Sequence, residues 1–172
     1  VHAAVQRQRE ADLWSTTSME PPRCEWRCTR HYAAFISHYK AETASLARYL
    51  HDLLRKMLRE PIYLDSSTLT DLRSLFEDGV ERSEVVVLIC SAGVLTRPWC
   101  LLELKTAIDE GVPIVGISIL SGSAPYDFAA ASALMTHLDT ALPADKAQAV
   151  QALGIDLLDA AYKLSNTIPQ II

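Results

Sequence analysis

The chain lacks any apolar run long enough to cross a membrane, because a spanning helix needs roughly 18 to 20 such residues in succession. The segment from Val1 to Glu10 is polar, so it also lacks the apolar core of a secretory signal. Together these absences predict a cytoplasmic protein with no membrane partner.

Basic residues are fewer than acidic residues in this chain. The 16 Lys and Arg residues against 21 Asp and Glu residues give a formal net charge of −5. A nucleic-acid-binding surface normally appears as a basic excess, so we expect no nucleic-acid partner. Hydrophobic residues make up 49% and charged residues 22% of the chain, which is typical of a folded domain rather than a disordered one.

Cysteine is scarce, with 4 residues in the chain. Cys90 ends an apolar run and Cys100 lies in a helical pattern, so both are interpreted as small buried side chains. Cys24, Cys28 and His31 would leave a structural zinc site one ligand short, and no second pair follows at ligand spacing. We therefore expect no metal, and reduced thiols, as is usual in a reducing compartment.

Glycine is scarce as well, with 6 residues, and no glycine-rich loop follows the first predicted strand. This absence argues against a Rossmann-type dinucleotide oxidoreductase, whose fingerprint needs that loop. Asp65 ends the second predicted strand, where a receiver domain has its phosphoacceptor. The acidic cluster and the Lys that such chemistry requires do not occur in the required order, so that role is disfavoured.

Periodicity divides the chain into a leader or linker over residues 1–30, with some helical character before Pro21, and a domain over residues 31–172. Within the domain, short apolar runs predict strands, of which residues 85–90 form the clearest. A run without polar alternation is typical of a parallel strand that is covered on both faces. The predicted strands cover residues 32–37, 62–64, 85–90 and 112–119.

Apolar residues at helical spacing predict a helix after each strand. Gly111 is placed to end the third helix and Thr96 to cap its start. The predicted helices cover residues 44–58, 71–82, 97–110, 128–138 and 144–164. This alternation predicts a flavodoxin-like three-layer α/β sandwich with a central parallel sheet of four to five strands.

The first and third strands are expected side by side, where the strand order reverses and where ligands bind beyond the carboxyl ends. Ser37, His38 and Ser91 fall at those ends. The next helix carries Trp99 and Glu103, which lie four residues apart and so share a helical face. A carboxylate beside an indole suits a cationic or ribosyl ligand, but a Glu in an early turn also simply favours the helix dipole. The pattern alone leaves both interpretations open.

Several segments resemble the sequence boxes of TIR domains, in the same order and at similar spacing. Residues 32–38 (Tyr-Ala-Ala-Phe-Ile-Ser-His) resemble the first box, and residues 62–65 (Ile-Tyr-Leu-Asp) the second-strand motif. Residues 85–91, followed by residues 99–104 (Trp-Cys-Leu-Leu-Glu-Leu), are similar to the third strand and helix of plant-type TIR domains. The resemblance implies a TIR-like fold for residues 31–172.

What the resemblance implies for function is a choice between two roles. Some TIR domains are NAD⁺ glycohydrolases acting in signalling or defence, with a catalytic Glu that matches Glu103. Others are non-catalytic modules that signal through self-association with other TIR domains. In the first role NAD⁺ is the substrate and no cofactor is needed. The candidate substrate-binding residues are then Trp99, Ser37, His38, Asp65 and Ser91.

A single carboxylate is enough for this reaction. The leaving nicotinamide is already a cation, so no general acid is required, and Glu103 has only to hold the ribose and stabilise an oxocarbenium-like transition state. We expect Glu103 in an open cleft, where its removal would leave stability nearly unchanged. Arg97 stands where plant-type enzymes often have a small hydroxyl residue.

Overall fold

The computed structural model describes residues 27–64 and 79–170. They contain a four-stranded parallel sheet in the order β2-β1-β3-β4. The strands are β1 (Ala34–Ser37), β2 (Ile62–Leu64), β3 (Val86–Cys90) and β4 (Ile114–Ser118). The predicted α/β fold with β1 beside β3 at its centre is confirmed, and the described residues contain no fifth strand.

Helices follow the strands as the periodicity predicts. They are α1 (Lys40–Leu58), α2 (Pro98–Asp109), α3 (Phe128–Thr136), α4 (Leu138–Ala141), α5 (Ala144–Ala152) and α6 (Leu157–Thr167). The helix predicted over residues 71–82 falls mostly outside the described residues, and its described end, residues 79–81, is helical. None of the described helices is long and apolar enough to cross a membrane.

Side chains of the central strands enter two separate cores, because successive residues of a strand point to opposite faces. On one face Ile36 and Ile89 pack with Ala47 of α1. On the other, Phe35 and Leu88 pack in a larger core to which α2 through α6 all contribute. Both faces of β1 and β3 are therefore buried in cores to which helices contribute, which explains why β3 is apolar without alternation.

The helix α2 begins at Pro98, where the missing N–H of proline is harmless because no helical carbonyl would accept from it. Thr96 was expected to cap this helix, and that expectation is wrong. Its hydroxyl donates instead to the Gly93 carbonyl at 2.9 Å, inside the 3₁₀ turn Val94–Thr96, and Arg97 occupies the cap position. After the end of the helix, Gly111 adopts a left-handed conformation with φ of 64°.

The single helix predicted over residues 144–164 is wrong, because the structure divides it into α5 and α6. Gly154 adopts a φ of 79° between them, a left-handed conformation that ends a helix. Asp156 then starts α6 by accepting a hydrogen bond from the Asp159 amide at 2.9 Å. The apolar periodicity continues through this break, so it hides the change of direction.

The boundary between the leader over residues 1–30 and the domain stays a prediction. The last residues of that leader are nevertheless attached to the domain. The Arg30 amide donates to the Glu84 carboxylate at 2.9 Å, and the Arg30 guanidinium donates to the Ser83 carbonyl at 3.0 Å.

Four charged side chains join α2 to α6. Asp109 accepts from Lys105 and from Lys163, each at 2.5 Å, and Asp159 lies 2.9 Å from Lys163 and 3.3 Å from Lys105. Burial opposes the charged form of Asp109, but the two lysine hydrogen bonds outweigh it and lower the pKa of this carboxyl. Hydrogen bonding to Lys163 likewise lowers the pKa of Asp159.

We expect Asp109→Asn to make the free energy of unfolding depend less on pH in the acid range. Because the folded-state pKa of Asp109 lies below its unfolded value of about 4, the carboxylate stabilises the fold above that pH and loses this effect as the pH falls through the folded-state pKa. Urea unfolding measured between about pH 6 and pH 2.5 should show a shallower fall for Asp109→Asn than for the wild type. Asp139 is exposed, so Asp139→Asn is the control. If the free energy of unfolding fell equally steeply with pH in Asp109→Asn and in the wild type, this account would be contradicted.

Candidate functional site

Glu103 of α2 lies against the carboxyl end of β1. Ser37, the last residue of β1, donates its hydroxyl to Glu103 Oε2 at 2.5 Å. A hydroxyl bound this closely to a carboxylate makes a charge-assisted hydrogen bond, which fixes the position of the carboxylate. The structure thus brings together two of the residues singled out in the sequence, at the point where the strand order reverses.

The expected open exposure of Glu103 is wrong. Its side chain is buried, with 6% of the residue exposed, and Ser37 is buried with 1% exposed. Sequence periodicity places Glu103 on the same helical face as Trp99, but it does not reveal that Ser37 covers one carboxylate oxygen. Removal of this buried acceptor is therefore expected to affect stability as well as activity.

Ser91, just after β3, is bound to a different carboxylate. Its hydroxyl donates to Glu42 Oε2 at 2.6 Å, and the Gly93 amide donates to the same oxygen at 3.0 Å. Glu42 lies in the first turn of α1 and is not among the residues that the sequence pattern singled out. Its position five residues after Ser37, at the same edge of the sheet, was the available indication.

Further contacts join the loop before α1 to the loop before α2 and to the first turn of α2. The Arg97 guanidinium lies 4.6 Å from the centre of the Tyr39 ring, a cation–π contact. The Cys100 thiol donates to the His38 carbonyl at 3.5 Å. A Cβ at Gly93 would lie only 3.1 Å from the Tyr39 ring, so glycine permits this close approach. These contacts hold the two segments together beside the carboxyl ends of β1 and β3.

Glu42→Ala is expected to destabilise the fold by about 1–3 kcal/mol, because it leaves the Ser91 hydroxyl and the Gly93 amide without their acceptor. Urea unfolding of Glu42→Ala, Ser91→Ala and the double variant should give a coupling energy of at least about 0.5 kcal/mol. The exposed Glu110→Ala is the control and should stay within about 0.5 kcal/mol of the wild type. Additive effects of the two substitutions would show that the contact between Glu42 and Ser91 contributes nothing to the free energy of unfolding.

The buried cysteines are unsuited to nucleophilic chemistry. Burial raises the pKa of Cys100 well above its usual value, and the neighbouring Glu103 carboxylate raises it further. Burial likewise raises the pKa of Cys90 to about 11. Both are neutral thiols near pH 7, and a neutral thiol is a poor nucleophile.

The described part of the chain contains neither a disulfide bond nor a candidate metal site. Cys28, Cys90 and Cys100 are unpaired there, and no group of three His, Cys, Asp or Glu residues is placed to hold a metal ion. Cys24 lies outside the described residues. That the protein is metal-free and reduced in solution stays a prediction.

The remaining candidates are less closely joined to Glu103. Trp99 lines a cavity of about 380 Å³ between the start of α2 and α5, and Glu103 is not among the residues that line it. His38 is half-buried after β1, beside Ser37. Asp65 lies outside the described residues, so its predicted role is not addressed by the structure.

Comparison with known proteins agrees with this architecture. A family model described as TIR domain matches residues 34–153, most of the chain. Among solved structures, the chain is similar to the TIR domains of the activated Roq1 resistosome, which directly recognises the pathogen effector XopQ. The TM-score is 0.54 at 14% identity over 78% of this chain and 82% of that chain, a likeness of fold. No curated protein matches the chain.

Proposed function

The chain belongs to the TIR-domain family, and on that premise we propose that it is an NAD⁺ glycohydrolase acting in signalling or defence. The observation that supports this proposal most is the Glu103 carboxylate, fixed by Ser37 at 2.5 Å where the strand order reverses. Open parallel sheets bind their ligands at this point. Glu103 also occupies the position that the resemblance to plant-type TIR domains marks as catalytic.

In the proposed reaction the bond between ribose C1′ and the nicotinamide nitrogen breaks, and its electron pair leaves with nicotinamide. The ribose becomes an oxocarbenium-like cation, which the Glu103 carboxylate stabilises while it accepts hydrogen bonds from the ribose hydroxyls. Water adds to C1′ and loses a proton, giving ADP-ribose. Attack by a group of the same molecule instead of water would give a cyclic product.

Ser37 has a second role in this proposal. Its hydroxyl donates a hydrogen bond to the buried Glu103 carboxylate. A ribose hydroxyl that replaces it exchanges one hydrogen bond for another, so the net change in free energy is small. Glu103 is 6% exposed, so a displacement of the residues that cover it must precede substrate entry.

The burial of Glu103 also favours the second candidate function, a non-catalytic TIR module that signals by self-association. Large apolar side chains are exposed in pairs at helical spacing, Leu46 with Tyr49 on α1 and Leu158 with Tyr162 on α6. Exposed apolar patches are typical of protein interaction surfaces.

The test of the proposed function is nicotinamide release from NAD⁺, followed by chromatography over a series of protein concentrations. The proposal predicts catalytic release, with a rate that rises more steeply than linearly with concentration if self-association completes the site. Light scattering on the same samples reports self-association directly. Self-association without nicotinamide release would favour the interaction module.

A further inference from the structure

Another cavity, with a volume of about 330 Å³, lies where α1 ends and β2 begins. His51, Arg55 and Arg59 line it at intervals of four residues, so they follow one another in a row along the end of α1. Pro61 and Ile62 supply an apolar wall. Because Ile62 begins β2, this cavity is at the amino end of the sheet, opposite the carboxyl ends of the strands where the candidate functional site lies.

The two arginines of this cavity have no acidic partner in the part of the chain that the structure describes. No carboxylate there lies within ion-pair distance of the Arg55 or the Arg59 guanidinium, and both side chains are exposed to solvent. Glu60 also lines the cavity, but its carboxylate accepts from the Cys28 thiol at 3.3 Å and lies 3.7 Å from the Arg27 guanidinium. Arg27 therefore matches the charge of Glu60, and two positive charges remain at the cavity of a protein with a net charge of −5.

Arg59 holds an unfavourable backbone conformation at this place. Its φ is 58°, and among the described residues it is the one residue other than glycine with a positive φ. Its amide ends α1 by donating to the Arg55 carbonyl at 3.0 Å, a position at which glycine is the usual residue. Helix capping therefore explains the backbone conformation but not the choice of an arginine.

The helix dipole explains the arginines only in part. The end of a helix carries a partial negative charge of about half a unit, which favours basic residues in the last turn of α1. Two arginines four residues apart nevertheless repel each other, and the dipole gives no reason for a cavity between them and an apolar wall. An anion bound in the cavity would account for the two arginines, for the left-handed arginine and for the cavity itself.

We propose that this cavity binds the phosphate group of a small molecule. Arg55 and Arg59 donate to the phosphate oxygens, because the planar guanidinium fork fits phosphate in bidentate pairs. A phosphate monoester has a charge of about −1.5 to −2 near pH 7, which matches two guanidinium groups better than a single carboxylate does. The size of the cavity and the carboxylate of Glu60 in its lining favour a small molecule over a long polyanion. The site is separate from the proposed NAD⁺ cleavage and does not depend on it.

The test is calorimetry with inorganic pyrophosphate at about 0.15 M salt, where exposed charges more than about 8 Å apart are largely screened. The wild type should bind pyrophosphate with a Kd below about 1 mM, and Arg55→Gln should raise that Kd at least about tenfold, because charge-assisted hydrogen bonds are lost. Lys56 is an exposed cation of the same helical turn that does not line the cavity, so Lys56→Gln is the matched control and should change the Kd less than about twofold. A wild-type Kd above about 1 mM, or equal losses of affinity in Arg55→Gln and Lys56→Gln, would overturn the inference.

A second variant, Arg59→Gly, separates binding of the anion from stability of the fold. Glycine adopts a φ of 58° more readily than arginine does, so the urea midpoint of unfolding should stay at or above that of the wild type. The same variant should bind pyrophosphate at least about tenfold more weakly, because one of the two guanidinium groups is gone. Unchanged pyrophosphate binding in Arg59→Gly, or a lower midpoint that assigns the arginine side chain to the fold, would overturn the inference.

Discussion

Glu103→Gln is expected to lower the rate of nicotinamide release by at least about 100-fold while the fold stays intact. The substitution removes the negative charge that stabilises the oxocarbenium-like transition state, and loss of one such electrostatic group typically lowers kcat by this factor or more. The amide oxygen still accepts the Ser37 hydroxyl, so the geometry of the site is kept. Initial rates on NAD⁺ at saturating concentration measure the effect.

A second variant separates the effect of the Glu103 charge on activity from the effect of the Glu103 side chain on stability. Glu103→Ala should be equally inactive but less stable than the wild type by about 1–3 kcal/mol, because the Ser37 hydroxyl then lacks its buried acceptor. Glu110→Gln, at the exposed end of the same helix, is the matched control and should retain wild-type activity and stability. A Glu103→Gln variant that releases nicotinamide at the wild-type rate would remove Glu103 from the mechanism.

Leu104→Ala is expected to destabilise the fold by roughly 2–5 kcal/mol, the range for a buried leucine that leaves a cavity. Leu104 directly follows Glu103 in α2 and is 0% exposed in the larger core. Since α2 is attached to the sheet through this core, the position of Glu103 depends on it. The free energy of unfolding, measured in urea, tests the prediction.

Leu158→Ala is the control for this experiment. Leu158 of α6 is 66% exposed, so the same truncation there removes little buried surface and should cost less than about 0.5 kcal/mol. If the two leucine variants were equally stable, α2 would not be packed in the core as described, and the placement of Glu103 would fall with it.

The sheet was predictable because its pattern is local. An unbroken apolar run such as residues 85–90 is stable only when both of its faces are covered, and that condition implies a central parallel strand. The same logic placed Ser37 and Ser91 at one edge of the sheet. Pro98 and Gly111 mark the two ends of α2 by their own backbone preferences.

The remaining features depend on contacts between distant residues, which periodicity does not contain. The cap of α6 at Asp156 interrupts no apolar pattern, so residues 144–164 appeared as one helix. Likewise, the sequence places Ser37 and Ser91 together but does not tell which carboxylate each one binds. Glu42 accepts the hydrogen bond of the Ser91 hydroxyl because the start of α1 faces the end of β3. That arrangement results from packing, which the sequence pattern does not contain.

The most direct measurement is a crystal structure of Glu103→Gln with NAD⁺ bound, since this inactive variant keeps the substrate whole. The account predicts the nicotinamide ribose hydroxyls within hydrogen-bond distance of the side chain at position 103, next to Ser37 at the carboxyl end of β1. A dinucleotide bound with its nicotinamide ribose away from position 103 would contradict the account.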